Sequence, residues 1–220
     1  MTDANETPAY WHEATQALAA QAPALARLIA AHPGAKLVRR NDAFTTLARA
    51  IVGQQISVKA AEAIWQRGLQ ALACPATPDN PFPQLAPAAL LACPAGDLRA
   101  AGLSLRKVDY LQDLARHFAE GWLNPADWQA LPDEALITAL TAVRGIGRWT
   151  AEMFLIFHEH RPDVFPLGDI GLIRAMRQAL PELAEAPPRL LARHAEAWRP
   201  WRSVATWYLW RSLDAVPVEY

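Results

Sequence analysis

Two cysteines, Cys74 and Cys93, are all the chain has. A disulfide framework and a four-cysteine metal site are therefore excluded within one chain, and a reducing compartment is the default. No apolar run reaches membrane-spanning length before a charge or a proline interrupts it, so no membrane partner is expected. An excess of charge of one sign is missing as well. The net charge is −1, and any contact with nucleic acid has to rest on a local surface rather than on overall charge. Strand-like alternation, long-period repeats and low-complexity linkers are absent. The opening stretch "MTDANETPAYWHEATQ" has neither the apolar core nor the basic flank of a signal peptide, which predicts a cytoplasmic protein. What is present suits a globular chain: 52% hydrophobic residues over 220 positions, enough for one large domain or two small lobes. Of its nine tryptophans, Trp149, Trp198, Trp201, Trp207 and Trp210 crowd into the C-terminal third, and core packing is their commonest use.

The periodicity predicts an all-α chain of many short helices. "ATQALAAQAPALARLIAAH" is helical but broken by Pro23, and it ends at the turn of residues 32 to 34. Asp42 is a plausible N-cap for "AFTTLARAIVGQQ", and Ser57 for "SVKAAEAIWQRGLQAL", with a break at Gln54 and Gln55 between them. Residues 74 to 87 form a proline-rich loop. Short helices are expected at 87 to 92, 96 to 101, 104 to 120 and 133 to 142, separated by Gly102, "GWLNP" and Pro132.

"VRGIGRWTAEMFLIF", residues 143 to 157, opens a helix with Gly145 and Gly147, although glycine costs helix stability. A helix–turn–helix hairpin over 133 to 157 explains the cost. The second helix then begins at the glycines, its unpaired N–H groups and positive dipole end face outward, and an anion can approach without meeting a Cβ. A tight helix connection with no ligand is the plainer alternative. Further on, "VFPLGDIGLIRAM" sets Asp169 directly before a helical run, where an N-cap is the local expectation.

Taken together, "LTAVRGIGRWTAEMFLIF…RPDVFPLGDIGLIRAM" (140 to 176) strongly resembles the helix–hairpin–helix superfamily of DNA glycosylases, and within it the 3-methyladenine glycosylase II type. "ARAIVGQQISVKAAEAIW" (48 to 65), "GLSLRKVDYLQDLA" (102 to 115) and "RPWRSVATWYLWR" (199 to 211) extend the resemblance over most of residues 40 to 211. The resemblance implies that Asp169 is the catalytic carboxylate, stabilising the cationic sugar and orienting the attacking water. It implies that the site is monofunctional, because Trp149 stands where lyase relatives carry a nucleophilic lysine. Without the four C-terminal cysteines of some relatives, no iron–sulfur cluster is expected, and no cofactor is required.

By the same resemblance the flipped base is held by Trp149 and Trp210, with Met153 and Ile170 standing where a bacterial relative has tyrosines. Trp198 and Trp207 are left to the core. DNA contacts fall to Gly145, Gly147, Arg144, Arg148 and Thr150 of the hairpin and to Gln54, Gln55, Ser57 and Lys59 of the earlier turn, Gln55 being the inserted side chain. The hairpin implies a monovalent cation, Na+ or K+, on backbone carbonyls of Thr141, Val143 and Ile146. "HEH" (158 to 160) is rejected as a metal motif, since histidines at i, i+2 point to different helix faces. Arg202 either pairs with an acid or packs on Trp201.

The expectation is thus one glycosylase unit over 1 to 220, with two helical lobes and an active-site cleft between them. One lobe spans about 42 to 157, and the other joins 1 to 41 with 158 to 220. No room is left for the extra N-terminal β domain of some relatives. The expected reaction is release of alkylated purines from damaged duplex DNA by a cytoplasmic, nucleoid-associated monomer. Two rivals remain: a DNA-binding module without chemistry, and a monofunctional glycosylase for another lesion class.

Overall fold

The computed structural model describes residues 7–39 and 41–213. Among them are thirteen α-helices and two short 3-10 turns, with no strand beyond a single bridge between Thr77 and Asn80 in the proline-rich loop. Local chemistry sets most of the helix boundaries. α1 (Trp11–Gln21) stops where Pro23 forces Ala22 into an extended conformation, and the same proline starts α2 (Pro23–Ala31). Asp42 caps α3 (Ala43–Gly53) by accepting from the Thr45 amide at 2.8 Å. Ser57 caps α4 (Val58–Ala71). α5 (Pro87–Ala92) and α6 (Ala95–Ala100) are single turns and a half, followed by α7 (Leu105–Ala119), capped by Ser104. α8 (Pro125–Trp128) is one turn inside "GWLNPADW", where the sequence suggests only a break; the Asn124 side chain accepts from the Ala126 amide and allows it. α9 (Asp133–Thr141), α10 (Arg148–Phe157), α11 (Ile170–Ala179), α12 (Pro188–Ala195) and α13 (Arg202–Arg211) complete the chain. No described helix is long and apolar enough to cross a membrane.

The chain divides into two compact units, residues 40–154 and residues 1–39 with 155–220. In the first, α7 is the central element: α3, α5 and α6 all pack on it. Leu47, Ala48 and Ile51 of α3 meet a core that includes Leu111, Leu114 and Ala115, all at most 3% exposed. A ladder of edge-on rings, Phe44–Phe118–Trp128–Phe154, crosses the same unit. One buried polar link closes it: Thr45 Oγ1 donates to Asp42 and accepts from the Leu85 amide, both at 2.8 Å, pinning the end of the proline-rich loop to α3.

In the second unit α1, α2 and α11 pack on α13. Trp198 and Trp207 are core, as expected, at 2% and 4% exposure, while Trp201 and Trp210 are only partly buried. Trp11 meets Trp207 edge-on at 5.1 Å, and Tyr10 stacks on Trp201 at 5.4 Å. Arg202 pairs with acids: its guanidinium donates to Asp163 at 2.7 Å and to Glu196 at 2.9 Å, and Arg199 bridges the same two carboxylates. All three residues of the "HEH" segment lie outside regular helix, just past α10, and no group of three metal-ligating side chains occurs among the described residues.

Burial and the Arg39 charge beside it hold the His158 imidazole down to about 3, and the same causes hold His160 down to about 4. Both rings stay neutral in the fold but take up a proton near pH 6.5 once unfolded, so the unfolded chain binds more protons below that pH. Stability is expected to fall steadily on acidification from pH 7 to pH 4, read as melting temperature. A flat profile over that window would contradict neutral burial of the pair.

Candidate active site and nucleic-acid interface

In the unit of residues 1–39 and 155–220, Pro166 and Asp169 close a turn, with the Asp169 amide donating to the Pro166 carbonyl at 2.9 Å. The turn leaves Asp169 as the N-cap of α11. Its Oδ1 accepts from the Leu172 amide at 2.5 Å. A second donor reaches the same oxygen from 41 residues further along: the Trp210 indole N–H, at 2.9 Å. Trp210 is itself held flat against Phe157, with centroids 5.7 Å apart and planes 13° from parallel. Gly171 keeps this corner open, because a Cβ there would lie 3.1 Å from Asp169 Oδ1 and 3.7 Å from Trp210 Cδ1. The carboxylate is therefore oriented by a helix amide and a side chain from a different helix. Ile170 is 82% exposed, which makes it surface rather than pocket lining in this unit.

In the unit of residues 40–154, the hairpin turn runs from Ala142 to Gly147. The two glycines have different reasons to be there. Gly145 has φ +88°, and a Cβ on it would fall 2.1 Å from the Tyr110 ring. Its lack of a side chain serves the turn and the Tyr110 contact, which corrects the expectation that this glycine exists to admit a phosphate. Gly147 has nothing within 4 Å of its would-be Cβ, is exposed, and stands directly before α10. The anion-accepting character of the helix start thus belongs to Gly147 and the amides after it.

The hairpin's basic side chains are already engaged. Arg148 donates to Glu134 at 2.9 and 2.5 Å and to Glu152 at 2.9 Å. Arg144 is held by Asp113, which accepts its amide at 2.9 Å and lies 3.1 Å from its guanidinium. Burial alone pushes the Asp113 carboxyl up, but these two bonds and the nearby His117 outweigh it and bring it below the usual carboxylate range. The Arg148 side chain, 57% exposed, is paired with these carboxylates at the surface, and its amide is the group at the helix start. Thr150 and Met153 are buried at 8% and 5% exposure, so neither side chain forms an open surface, whereas Trp149 is 40% exposed.

The turn between α3 and α4 lies in the same unit. Gln54 donates from Nε2 to the Gly145 carbonyl at 2.8 Å, so it binds the hairpin instead of facing solvent. Gln55 has φ +59° and is exposed, as is Lys59. Ser57 is spent on its cap. Lys107, which the sequence does not mark for this place, donates to the Val52 and Gln54 carbonyls at 2.7 and 2.9 Å. Of the carbonyls expected to hold a cation, that of Val143 accepts the Ile146 amide at 3.1 Å, and the Thr141 hydroxyl turns inward to Ile137. A set of neutral carbonyls suits a monovalent ion by chemistry.

Residues 48–200 match the family model described as HhH-GPD superfamily base excision DNA repair protein. The chain belongs to that superfamily. It is 38% identical over 191 residues to DNA-3-methyladenine glycosylase 2 of Escherichia coli, covering 85% of this chain and 64% of that protein. A crystal structure of a DNA-3-methyladenine glycosidase from Bacillus halodurans superposes with a TM-score of 0.81 at 32% identity, over 92% of this chain and 89% of that one. The 3-methyladenine DNA glycosylase of Schizosaccharomyces pombe, in complex with abasic DNA, gives 0.71 at 30% identity over 92% and 98%. Among curated relatives the chain spans 66% of a putative DNA-3-methyladenine glycosylase of Bacillus subtilis, a share similar to the 64% for the E. coli protein.

Sequence reasoning passes over Phe157, Tyr110 and Asp113, which hold Trp210, Gly145 and Arg144, and it offers Lys107 only as a spare amine. The Gly-x-Gly pair signals that something crowds the turn, but nothing local names Tyr110 as the neighbour. Gly145→Ala is expected to destabilise the fold by more than about 2 kcal/mol, from the left-handed backbone and the ring collision. Gly147→Ala should stay within about 1 kcal/mol. Urea unfolding of both variants checks this, and equal losses would show that Tyr110 does not hold the turn.

Proposed function

We propose that the chain is a monofunctional DNA glycosylase that hydrolyses the N-glycosidic bond of alkylated purines, of the 3-methyladenine and 7-methylguanine type, in duplex DNA. The observation that carries this reading is the Asp169 carboxylate, fixed at the start of α11 by the Leu172 amide and the Trp210 indole. Departure of the base leaves positive charge on the deoxyribose, and a fixed carboxylate is the group that stabilises such a cation and orients water toward it. A purine alkylated at N3 or N7 already carries positive charge and leaves without a strong general acid. One carboxylate then does what ordinary glycosidases need two for. The half-exposed Trp149 indole supports the same substrates, because its π face attracts a cationic base.

Hydrolysis rather than lyase chemistry follows from what occupies the relevant places. Trp149 has no amine, and the Lys107 ammonium is committed to two carbonyls. Phosphate gripping falls to Gly147 and the first amides of α10, a contact without sequence information. The same reading has the chain act as a monomer on cellular DNA in the cytosol, which its two free thiols suit. It takes a Na+ or K+ at the hairpin carbonyls as structural support only, since carboxylate and water suffice for the chemical step.

Asp169→Asn removes the charge and keeps the shape. Single-turnover release of 3-methyladenine is expected to fall by at least about a hundredfold, with binding to lesion-bearing duplex within about threefold of the parent. Near-parental release would remove Asp169 from the mechanism. Borohydride added during turnover is expected to trap no covalent protein–DNA adduct, and a trapped adduct would establish an amine nucleophile.

A further inference from the structure

Lys107, Tyr110 and Asp113 recur every third residue and share one face of α7. Each holds a different part of the surface described above. Lys107 donates to the Val52 and Gln54 carbonyls, at the end of α3 where helix carbonyls lack amide partners. Tyr110 lies under Gly145, so close that no side chain fits there. Asp113 takes both the amide and the guanidinium of Arg144. Gln54 then joins the two turns directly, its amide on the Gly145 carbonyl at 2.8 Å across 91 residues of sequence.

The next residue, Gln55, is in the left-handed region at φ +59°, where a non-glycine residue persists only if its surroundings over-determine it. It is exposed, and Ile56 and Val58 beside it are 38% and 73% exposed. Ordering a lysine costs side-chain freedom, and burial weakens the affinity of this one for its proton, yet it is fixed on two carbonyls behind this strained, outward turn.

We propose that this face of α7 is a brace that holds the Gln55 turn in register with the phosphate-gripping hairpin, making Lys107 a positioning residue for base extrusion. The proposal rests on the glycosylase reading. Extruding a base requires a side chain pushed into the stack against its restoring force while the flanking phosphates are held. A turn free to shift relative to the hairpin cannot do both. The brace supplies the fixed distance through one ammonium, one amide, one ring and one carboxylate, none of which touches DNA in this reading.

The test measures binding to two duplexes of one sequence, one undamaged and one carrying an abasic-site analogue beside a fluorescent base. Lys107→Met is expected to weaken binding to the abasic duplex about tenfold, the worth of one charge-assisted hydrogen bond, and to abolish the fluorescence rise. Affinity for undamaged duplex should stay within about twofold, because the phosphate contacts remain. Lys107→Arg, which donates to the same carbonyls, should restore both signals. Equal losses on the two duplexes, or no loss, would overturn the brace. If Lys107→Met does not fold, Gln54→Leu, which cuts only the link to Gly145, is held to the same split. Failure of the parent protein to release any alkylated base would sink the glycosylase reading on its own, leaving the binding split to judge the brace.

Discussion

The hairpin turn of this protein exists in its present place because residue 145 has no side chain. With φ at +88° and a ring 2.1 Å from where a Cβ would sit, the backbone is pressed onto Tyr110 of α7 as closely as a main chain can be. That contact sets the height of the turn over the helix, and polar bonds set its rotation. Asp113 draws Arg144 down on one side, and Gln54 takes the Gly145 carbonyl on the other. The start of α10 follows from this, since its first amides point wherever the turn releases them. A phosphate site made of backbone amides is only as well aimed as the turn before it.

The Asp169 carboxylate in the other unit, reactive in the proposed function, uses a different device to the same end. Asp169 is placed first by its own helix, as an N-cap, and then by Trp210, whose indole is pinned to Phe157 by stacking. Two donors on one oxygen fix the direction of the group without adding charge beside it. Stabilisation of a sugar cation needs a carboxylate that does not have to reorient as the bond breaks, and preorganisation of this kind is where such catalysis gains most. Gly171 plays the part here that Gly145 plays in the hairpin, leaving room for a close approach.

The distribution of charge explains how a chain of net charge −1 suits a polyanion. Arg144, Arg148, Arg199 and Arg202 pair with Asp113, Glu134, Glu152, Asp163 and Glu196, so each of these positive charges sits beside a negative one. Under the proposed reading, phosphate recognition rests on helix-start amides, a short-range device that needs no excess of basic residues. Membership of the base excision repair superfamily therefore does not show in the composition at all.

What the sequence determined by itself is everything that depends on near neighbours. Asp42, Ser57 and Ser104 cap the helices they precede, Pro23 separates two helices, and Asp169 precedes α11, because caps and prolines act within three or four residues. That Gly147 stands directly before α10 and Asp169 directly before α11 is legible for the same reason. Tertiary structure alone decided the partners. Tyr110 beneath Gly145, Lys107 on the end of α3, Gln54 on the hairpin and Trp210 on Asp169 join positions 35 to 91 residues apart, and no periodicity encodes which surface a helix will present to a distant turn. It also decided that Thr150 is buried, while Arg148 stays exposed in a pair with Glu134.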